Sequence, residues 1–118
     1  MIFFYRQNKY NEKTSTEKLN KELGKQRKFL YKKETKLGIV QAKMDNLYNQ
    51  AISCRKEILK LQGEGQIAAA AKKGSLKLDL TKKHSIIQKK YIAMSREVEF
   101  IRQRVKKLVD LLEDKKAV

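Results

Sequence analysis

The stretch Leu61-Gln62-Gly63-Glu64-Gly65-Gln66 divides this 118-residue chain into two long segments. Two glycines that flank an acidic residue are typical of a helix end followed by a tight turn, because glycine adopts left-handed backbone conformations without steric cost. The segments on either side are rich in Lys, Glu, Leu, Gln and Ala, and proline is absent. These residue types favour helix. The stretch therefore predicts a turn at residues 63–65 between two helical arms, 15–62 and 66–113.

Upstream of the turn, apolar side chains alternate at steps of four and three. Eleven of thirteen positions in this 3.5-residue period are apolar or cysteine, and a period of 3.5 held for six heptads is typical of a helix that packs along a partner helix. Position a of the heptad holds Leu23, Leu30, Leu37, Met44, Ala51 and Ile58. Position d holds Leu19, Gln26, Lys33, Val40, Leu47, Cys54 and Leu61.

Downstream of the turn, the same period resumes at Leu80. Nine of its ten positions are apolar, and His84 is the exception. Position a holds His84, Tyr91, Val98, Val105 and Leu112. Position d holds Leu80, Ile87, Met94, Ile101 and Leu108.

The short connection between the arms forces them to lie antiparallel. Each arm has 48 residues, so the arms match in length. We therefore expect an all-α fold, a long antiparallel two-helix coiled-coil hairpin. Residues 1–13 form an apolar tip and a polar lead-in, and 114–118 form a tail. Gly74 predicts a possible break near 72–76, since an interior glycine costs a helix about 1 kcal/mol relative to alanine.

Three further features of the arms lead to specific expectations. Thr14 and Glu17 have capping-box spacing, which predicts that Thr14 caps the first helix. Gln26 and Lys33 are polar residues in the seam. They indicate either a loose seam from which Lys33 extends to solvent, or positions that fix the register or receive a third helix. Apolar residues beside the seam widen the stripe and favour further assembly; these are Phe29, Tyr48, Val109 and Leu111.

The chain is strongly basic, with 29 Lys and Arg against 13 Asp and Glu and a formal net charge of +16. Such a field attracts nucleic acid, acidic protein or anionic lipid. Only six of the basic residues are arginines, the residue best suited to bidentate recognition of phosphate or base edges. Both arms are basic, so we expect the apolar seam, rather than ion pairs between the helices, to hold the hairpin together.

Two groups of residues are candidates for partner binding. One is the apolar tip, which either packs across the open end of the hairpin or inserts into a partner; it comprises Ile2, Phe3, Phe4 and Tyr5. The other is basic, and it comprises Lys82, Lys83, Lys89, Lys90, Arg102, Arg104, Lys106 and Lys107.

No pattern in the sequence predicts catalysis. There is no phosphate-binding glycine loop, no paired Cys and His spacing and no nucleophile elbow. His84 and Cys54 occupy seam positions, where a structural role is expected. We therefore expect a non-enzymatic protein without cofactor or metal. No apolar run reaches the ~20 residues of a membrane span, and the tip is too short for a signal-peptide core, so a cytoplasmic location is expected.

A short, basic, proline-free helical hairpin with heptads over residues 15–113 and a central turn resembles the central-stalk proteins of type III secretion and flagellar export. That family is itself similar to the stalk subunit of rotary ATPases. The resemblance implies a rod within a hexameric export ATPase, where it promotes assembly or turnover and contacts export-gate components and chaperones.

Two other functions fit the same composition. A basic helical protein that lies on ribosomal RNA would bind mainly by electrostatics, although the low arginine content and the lack of a compact patch of aromatic and basic residues disfavour it. A structural coiled-coil adaptor that oligomerises through the widened stripe is the third possibility.

Overall fold

A computed structural model describes residues 10–11 and 13–117, and within them the chain forms two long α-helices. Helix α1 spans Thr16–Gly63 and has 48 residues, and helix α2 spans Ile67–Ala117 and has 51 residues. No strand occurs among the described residues. The predicted all-α antiparallel hairpin is confirmed.

Helix α1 begins one residue later than the capping-box pattern predicts. The Ser15 hydroxyl accepts a hydrogen bond from the Lys18 amide at 3.3 Å, which makes Ser15 the N-cap. The Thr14 hydroxyl instead accepts from the Asn11 amide at 3.1 Å. The prediction that Thr14 caps the helix was therefore wrong, because a local turn around Asn11 uses its side chain.

The turn at the end of α1 is a Schellman motif centred on Gly65. The Gln66 amide donates to the Leu61 carbonyl at 2.9 Å, and the Gly65 amide donates to the Gln62 carbonyl at 3.1 Å. Gly65 has a φ of 75°, in the left-handed region that glycine occupies without strain. Gly63 is the last residue of α1. Glycine at 65 is thus the residue on which the chain reversal depends.

Helix α2 is continuous through residues 72–76, where the sequence predicted a possible break. The alanines at 68–71 favour helix, and the heptad positions extend back from Leu80 through Lys77 and Lys73 to Ala70. Ala70 is buried and the two lysines are half-buried. Lys73 Nζ contacts Glu57 Oε2 of α1 at 2.7 Å. The seam contacts of α2 therefore begin upstream of Gly74, and α2 also runs past the predicted end at 113 to Ala117.

The chain divides into two compact units, which we name the turn unit (residues 36–93) and the terminal unit (residues 1–35 and 94–118, described from residue 10). In the turn unit, Glu57 contacts Lys73 near the turn, and the rings of Tyr48 and His84 lie 6.0 Å apart farther along both helices. From the first contact to the second, the residue number falls from 57 to 48 on α1 and rises from 73 to 84 on α2. The two helices therefore run antiparallel.

The terminal unit contains a compact apolar cluster. Leu19 and Leu23 of α1 pack with Leu108 and Leu112 of α2, and Tyr10, Val105, Val109 and Leu111 pack against them. Ile101, Val98 and Leu19 are the most deeply buried large side chains. Burial of a side chain of this size contributes roughly 1.5–3 kcal/mol. Across both units, each of the thirteen seam positions of α1 and the ten of α2 is buried or half-buried.

Ion pairs join the two helices, which the sequence analysis did not expect. Lys33 Nζ lies 2.7 Å from Glu97 Oε1, and Arg102 Nε lies 3.6 Å from Glu34 Oε1. These side chains are partly or largely exposed, and pairs of this kind contribute only about 0–1 kcal/mol each. The apolar seam therefore supplies the stability, while the ion pairs favour one register of α1 against α2.

Substitution by alanine at Gly65 and at Gly74 should change the free energy of unfolding in opposite directions. Gly65→Ala places a Cβ on a left-handed residue and should lower the free energy of unfolding by about 1–2 kcal/mol. Gly74→Ala should raise it by about 0.5–1 kcal/mol, because the residue is inside a helix and no heavy atom lies within 4 Å of the added carbon. Urea denaturation followed by circular dichroism measures both values. Changes of the same sign would contradict this description of the turn.

Candidate interaction surfaces

The predicted basic residues of the turn unit lie on one exposed part of α2. Lys82, Lys83, Lys89 and Lys90 are all exposed. The first of each pair occupies heptad position f, which faces away from the seam, and the second occupies position g, which flanks the seam. Because successive f or g positions are seven residues apart, each row repeats roughly every 10 Å along the helix. The arrangement is a regular lattice of ammonium groups rather than a convergent pocket.

Helix α1 extends this basic surface. We define the lysine side of the turn unit as positions c, f and g of both helices between residues 36 and 93. It carries nine lysines and two acidic residues, Glu57 and Asp79, and it carries no arginine and no aromatic residue. The lysines are Lys36, Lys43, Lys56, Lys60, Lys72, Lys82, Lys83, Lys89 and Lys90.

An open groove with an apolar floor runs along the lysine side between the helices. Lys43, Asn46 and Leu47 of α1 line one wall, and Lys83, Ile86 and Ile87 of α2 line the other. Leu47 and Ile87 are half-buried seam residues, whereas Ile86 is exposed. The groove therefore offers apolar contact beside two ammonium groups, a combination suited to an amphipathic anionic partner.

The basic candidates of the terminal unit do not form one surface. Arg102 is exposed but pairs with Glu34 of α1 and, at 3.7 Å, with Glu99 of its own helix. Lys106 and Lys107 are exposed. Arg104 is only 4% exposed, so its assignment to a partner-binding surface was wrong. Arg104 occupies position g, which flanks the seam, and its charge interacts with the Glu22 carboxyl of α1.

Arg104 belongs to a buried polar cluster next to the seam. Burial raises the pKa of the Glu22 carboxyl. Hydrogen bonds from Gln26 and Tyr10 and the positive charges of Lys25 and Arg104 lower it, and together they outweigh burial, so that the pKa lies below its usual value. The Gln26 side-chain amide donates to Glu22 Oε1 at 2.8 Å. Glu22 was not predicted from the sequence, although its spacing of four residues from Gln26 was an available signal.

The two polar seam residues, Gln26 and Lys33, have different environments. Gln26 is buried, and its Oε1 atom has no hydrogen-bond partner in the described part of the chain. Lys33 is half-buried, lies 5.4 Å from the centre of the Phe29 ring and pairs with Glu97 of α2. The environment of Lys33 supports the interpretation that it helps to fix the register of the two helices, because a shift of α1 along α2 would separate Lys33 from Glu97.

The cysteine and the histidine of this chain lie within the seam. Cys54 is a free, buried cysteine, and His84 is half-buried with its ring tilted by 45° to that of Tyr48. In the described residues, no three His, Cys, Asp or Glu side chains come together in a way that could hold a metal ion.

Two further expectations concern the tip and the membrane. The apolar tip Ile2–Tyr5 lies outside the described residues. Among the described residues that precede α1, Tyr10 packs against the apolar cluster of the terminal unit. Within residues 10–11 and 13–117, neither helix combines the length and apolar character needed to cross a bilayer.

The Glu22 cluster predicts a dependence of stability on pH. Because the pKa of Glu22 in the folded protein lies below its ordinary value of 4.5, its stabilising contribution is complete above about pH 4.5 and is lost as the pH falls through the folded value. Glu22→Gln should lower the free energy of unfolding by roughly 0.5–1 kcal/mol at pH 7, since the carboxyl is partly exposed, and by less at an acidic pH below the folded pKa. Urea denaturation at both pH values measures the difference, and Asp110→Asn, at an exposed position inside α2, is the control. An equal loss at both pH values would contradict this assignment.

No protein-family model, curated protein or solved structure matches this chain. The inference of function therefore depends on the chain's own surfaces.

Proposed function

We propose that this chain is a non-enzymatic helical-hairpin adaptor that binds an anionic macromolecular surface through the lysine side of its turn unit. The observation that carries the proposal is the segregation of charge. Nine lysines and two acidic residues occupy positions c, f and g, whereas the sixteen b and e positions hold only Asp45 and Arg55 as charged residues. A face of one charge sign raises the local concentration of oppositely charged partners and accelerates their association.

The chemistry of lysine supports an extended partner surface rather than a small ligand. A lysine ammonium is a hydrated point charge on a flexible stem, which adapts to many anionic groups but does not read one geometry. The interaction weakens with salt, because the screening length is about 8 Å at physiological ionic strength. The proposed adaptor therefore recognises a pattern of negative charge, and the apolar floor of the groove between Lys43 and Lys83 adds contact area.

The resemblance to export-ATPase stalks supplies one specific form of this proposal. In that form the hairpin lies within a hexameric export ATPase, its lysine side faces an acidic lining, and it also contacts export-gate components. The antiparallel hairpin with a central turn supports this role. Adding the purified chain to a hexameric export ATPase would then raise ATP hydrolysis, and unchanged hydrolysis with no complex would exclude the role.

An anionic membrane surface is a second candidate partner, and a separate observation favours it. Three exposed aliphatic residues, Ile39, Leu76 and Ile86, lie among the lysines on positions c and g. Lysines near an anionic leaflet contribute about 1 kcal/mol each, and adjacent apolar side chains enter the headgroup boundary. Nucleic acid, the alternative considered from composition, has less support, because the lysine side carries neither arginine nor an aromatic residue for stacking.

Charge reversal on the lysine side tests the proposal. A variant with Lys82→Glu, Lys83→Glu, Lys89→Glu and Lys90→Glu should bind its anionic partner at least ~10-fold more weakly, a loss of about 1.4 kcal/mol or more. Three probes distinguish the partner classes: vesicles containing phosphatidylserine, a generic RNA and a hexameric export ATPase. Binding is measured at several salt concentrations.

The matched control changes the same number of charges in the terminal unit. Lys18→Glu, Lys21→Glu, Lys28→Glu and Lys32→Glu alter exposed residues of α1 and give the same net charge as the first variant. The control should retain binding within about threefold. Equal weakening by both variants would mean that net charge, and not the lysine side, determines binding, and the proposal would fail.

A further inference from the structure

The side of the turn unit defined by positions b and e is nearly free of charge. We name these sixteen positions the apolar side; they run from Gly38 to Gln62 on α1 and from Ile67 to Ile92 on α2. Asp45 and Arg55 are its two charged residues, although 36% of the whole chain is charged. This composition differs sharply from that of the lysine side of the same two helices.

The apolar side exposes large hydrophobic side chains. Tyr48, Leu59 and Leu78 are 57%, 61% and 56% exposed, and Ile52, Ile67 and Ile92 are exposed as well. In the described part of the terminal unit, Tyr31 is the one large hydrophobic residue exposed in this way. A contiguous exposed apolar surface that is bordered by polar residues marks an interaction site. The helix packing therefore leaves the turn unit with a face that another surface should cover.

The stripe on α1 is complementary to itself about position 50. Its b and e residues form one row, and the two pairs nearest to position 50 are matched in character, whereas the outer pairs, Gln41 with Leu59 and Gly38 with Gln62, are not. Tyr48 corresponds to Ile52, both apolar, and Asp45 corresponds to Arg55, which carry opposite charges. Both Asp45 and Arg55 are exposed. A twofold axis that is perpendicular to the two α1 helices, and passes between them at the level of position 50, would bring each aspartate next to the arginine of the other copy.

We propose that the apolar side binds a second copy of this chain, with the α1 helices antiparallel and the turn units forming a four-helix bundle. A twofold contact uses the same patch on both copies, so the patch must complement itself. The α1 stripe meets that condition through Asp45 and Arg55. This inference goes beyond the proposed function and does not depend on it.

Charge explains why a second copy uses this face. Two chains of net charge +16 repel each other, and the repulsion is greatest where lysines face lysines. On the apolar side, the two charged residues attract their counterparts. The lysine sides then lie on the outside of the bundle, where they remain available to an anionic partner.

The size of the face is sufficient for a specific dimer. The stripe from Gln41 to Gln62 is roughly 30 Å long at 1.5 Å per residue, and two helices side by side are roughly 20 Å wide. Their contact covers about 600 Å² on each copy, or about 1,200 Å² in total, the lower end of the range for stable interfaces. The face is therefore large enough for a specific dimer.

A charge swap across the twofold axis tests the proposal. In sedimentation equilibrium, the wild-type chain should have twice its monomer mass of 13.8 kDa. Asp45→Arg and Arg55→Asp alone should each raise the dimer dissociation constant about 10-fold or more, because each places like charges opposite each other. The double variant, which leaves the net charge unchanged, should return it to within about threefold of wild type.

A second pair of variants separates this face from the rest of the surface. Ile52→Lys with Leu78→Lys places two charges on the apolar side and should abolish the dimer. Ile39→Lys with Ile86→Lys adds the same charge at exposed residues of the lysine side and should leave the dimer intact. Circular dichroism verifies that each variant keeps its helical content.

Three results would overturn the proposal. The first is a wild-type chain that remains monomeric at about 100 µM, which would leave the face to a different protein. The second is a dimer that is weakened equally by the double lysine substitution on the apolar side and by the double lysine substitution on the lysine side. The third is a charge swap that fails to restore association, which would exclude the antiparallel pairing of the α1 helices.

Discussion

The apolar seam between α1 and α2 is the interaction on which the rest of the structure depends. A helix in a protein is stabilised mainly by the packing of its apolar face against another element. An isolated helix of about 50 residues with one apolar stripe would lack such a partner. Gly65 allows the chain to reverse, so that each stripe becomes the partner of the other. The seam also fixes which residues face outward, and it therefore determines both candidate surfaces of the turn unit.

Much of the fold was predictable from sequence because its determinants are local and periodic. The heptads and the glycine turn were sufficient to predict two antiparallel helices. The sequence was a weaker guide where one residue had competing roles. Gly74 indicated a break, but seam contacts on both sides keep the helix continuous, and the Lys73–Glu57 pair is visible only once the register is known. Arg104 was assigned to the surface because of its charge. It is in fact buried beside the seam, where its charge interacts with Glu22 of α1.

The separation of surfaces was also encoded in the sequence, but it becomes visible only after the seam positions are assigned. Counted along the chain, the lysines are spread over both arms. Sorted by heptad position within the turn unit, they collect on c, f and g, and six of the nine exposed large apolar residues, among them Tyr48, Ile52 and Leu78, lie on b and e. One pair of helices thus presents a basic side and a side whose two charged residues have opposite signs. We propose that one hairpin uses this division to self-associate through one side and to bind an anionic partner through the other.

The distance between spin labels at Lys33→Cys and Glu97→Cys, in a chain with Cys54→Ala, tests the seam most directly. The native side chains pair across the two helices at 2.7 Å. The hairpin therefore predicts a label separation below about 20 Å, whereas one uninterrupted helix would separate the two sites by roughly 95 Å at 1.5 Å per residue. A short distance at low protein concentration, unchanged by dilution with unlabelled chain, is the predicted result. A separation well above 20 Å, or a short distance that dilution removes, would contradict a hairpin closed on its own seam.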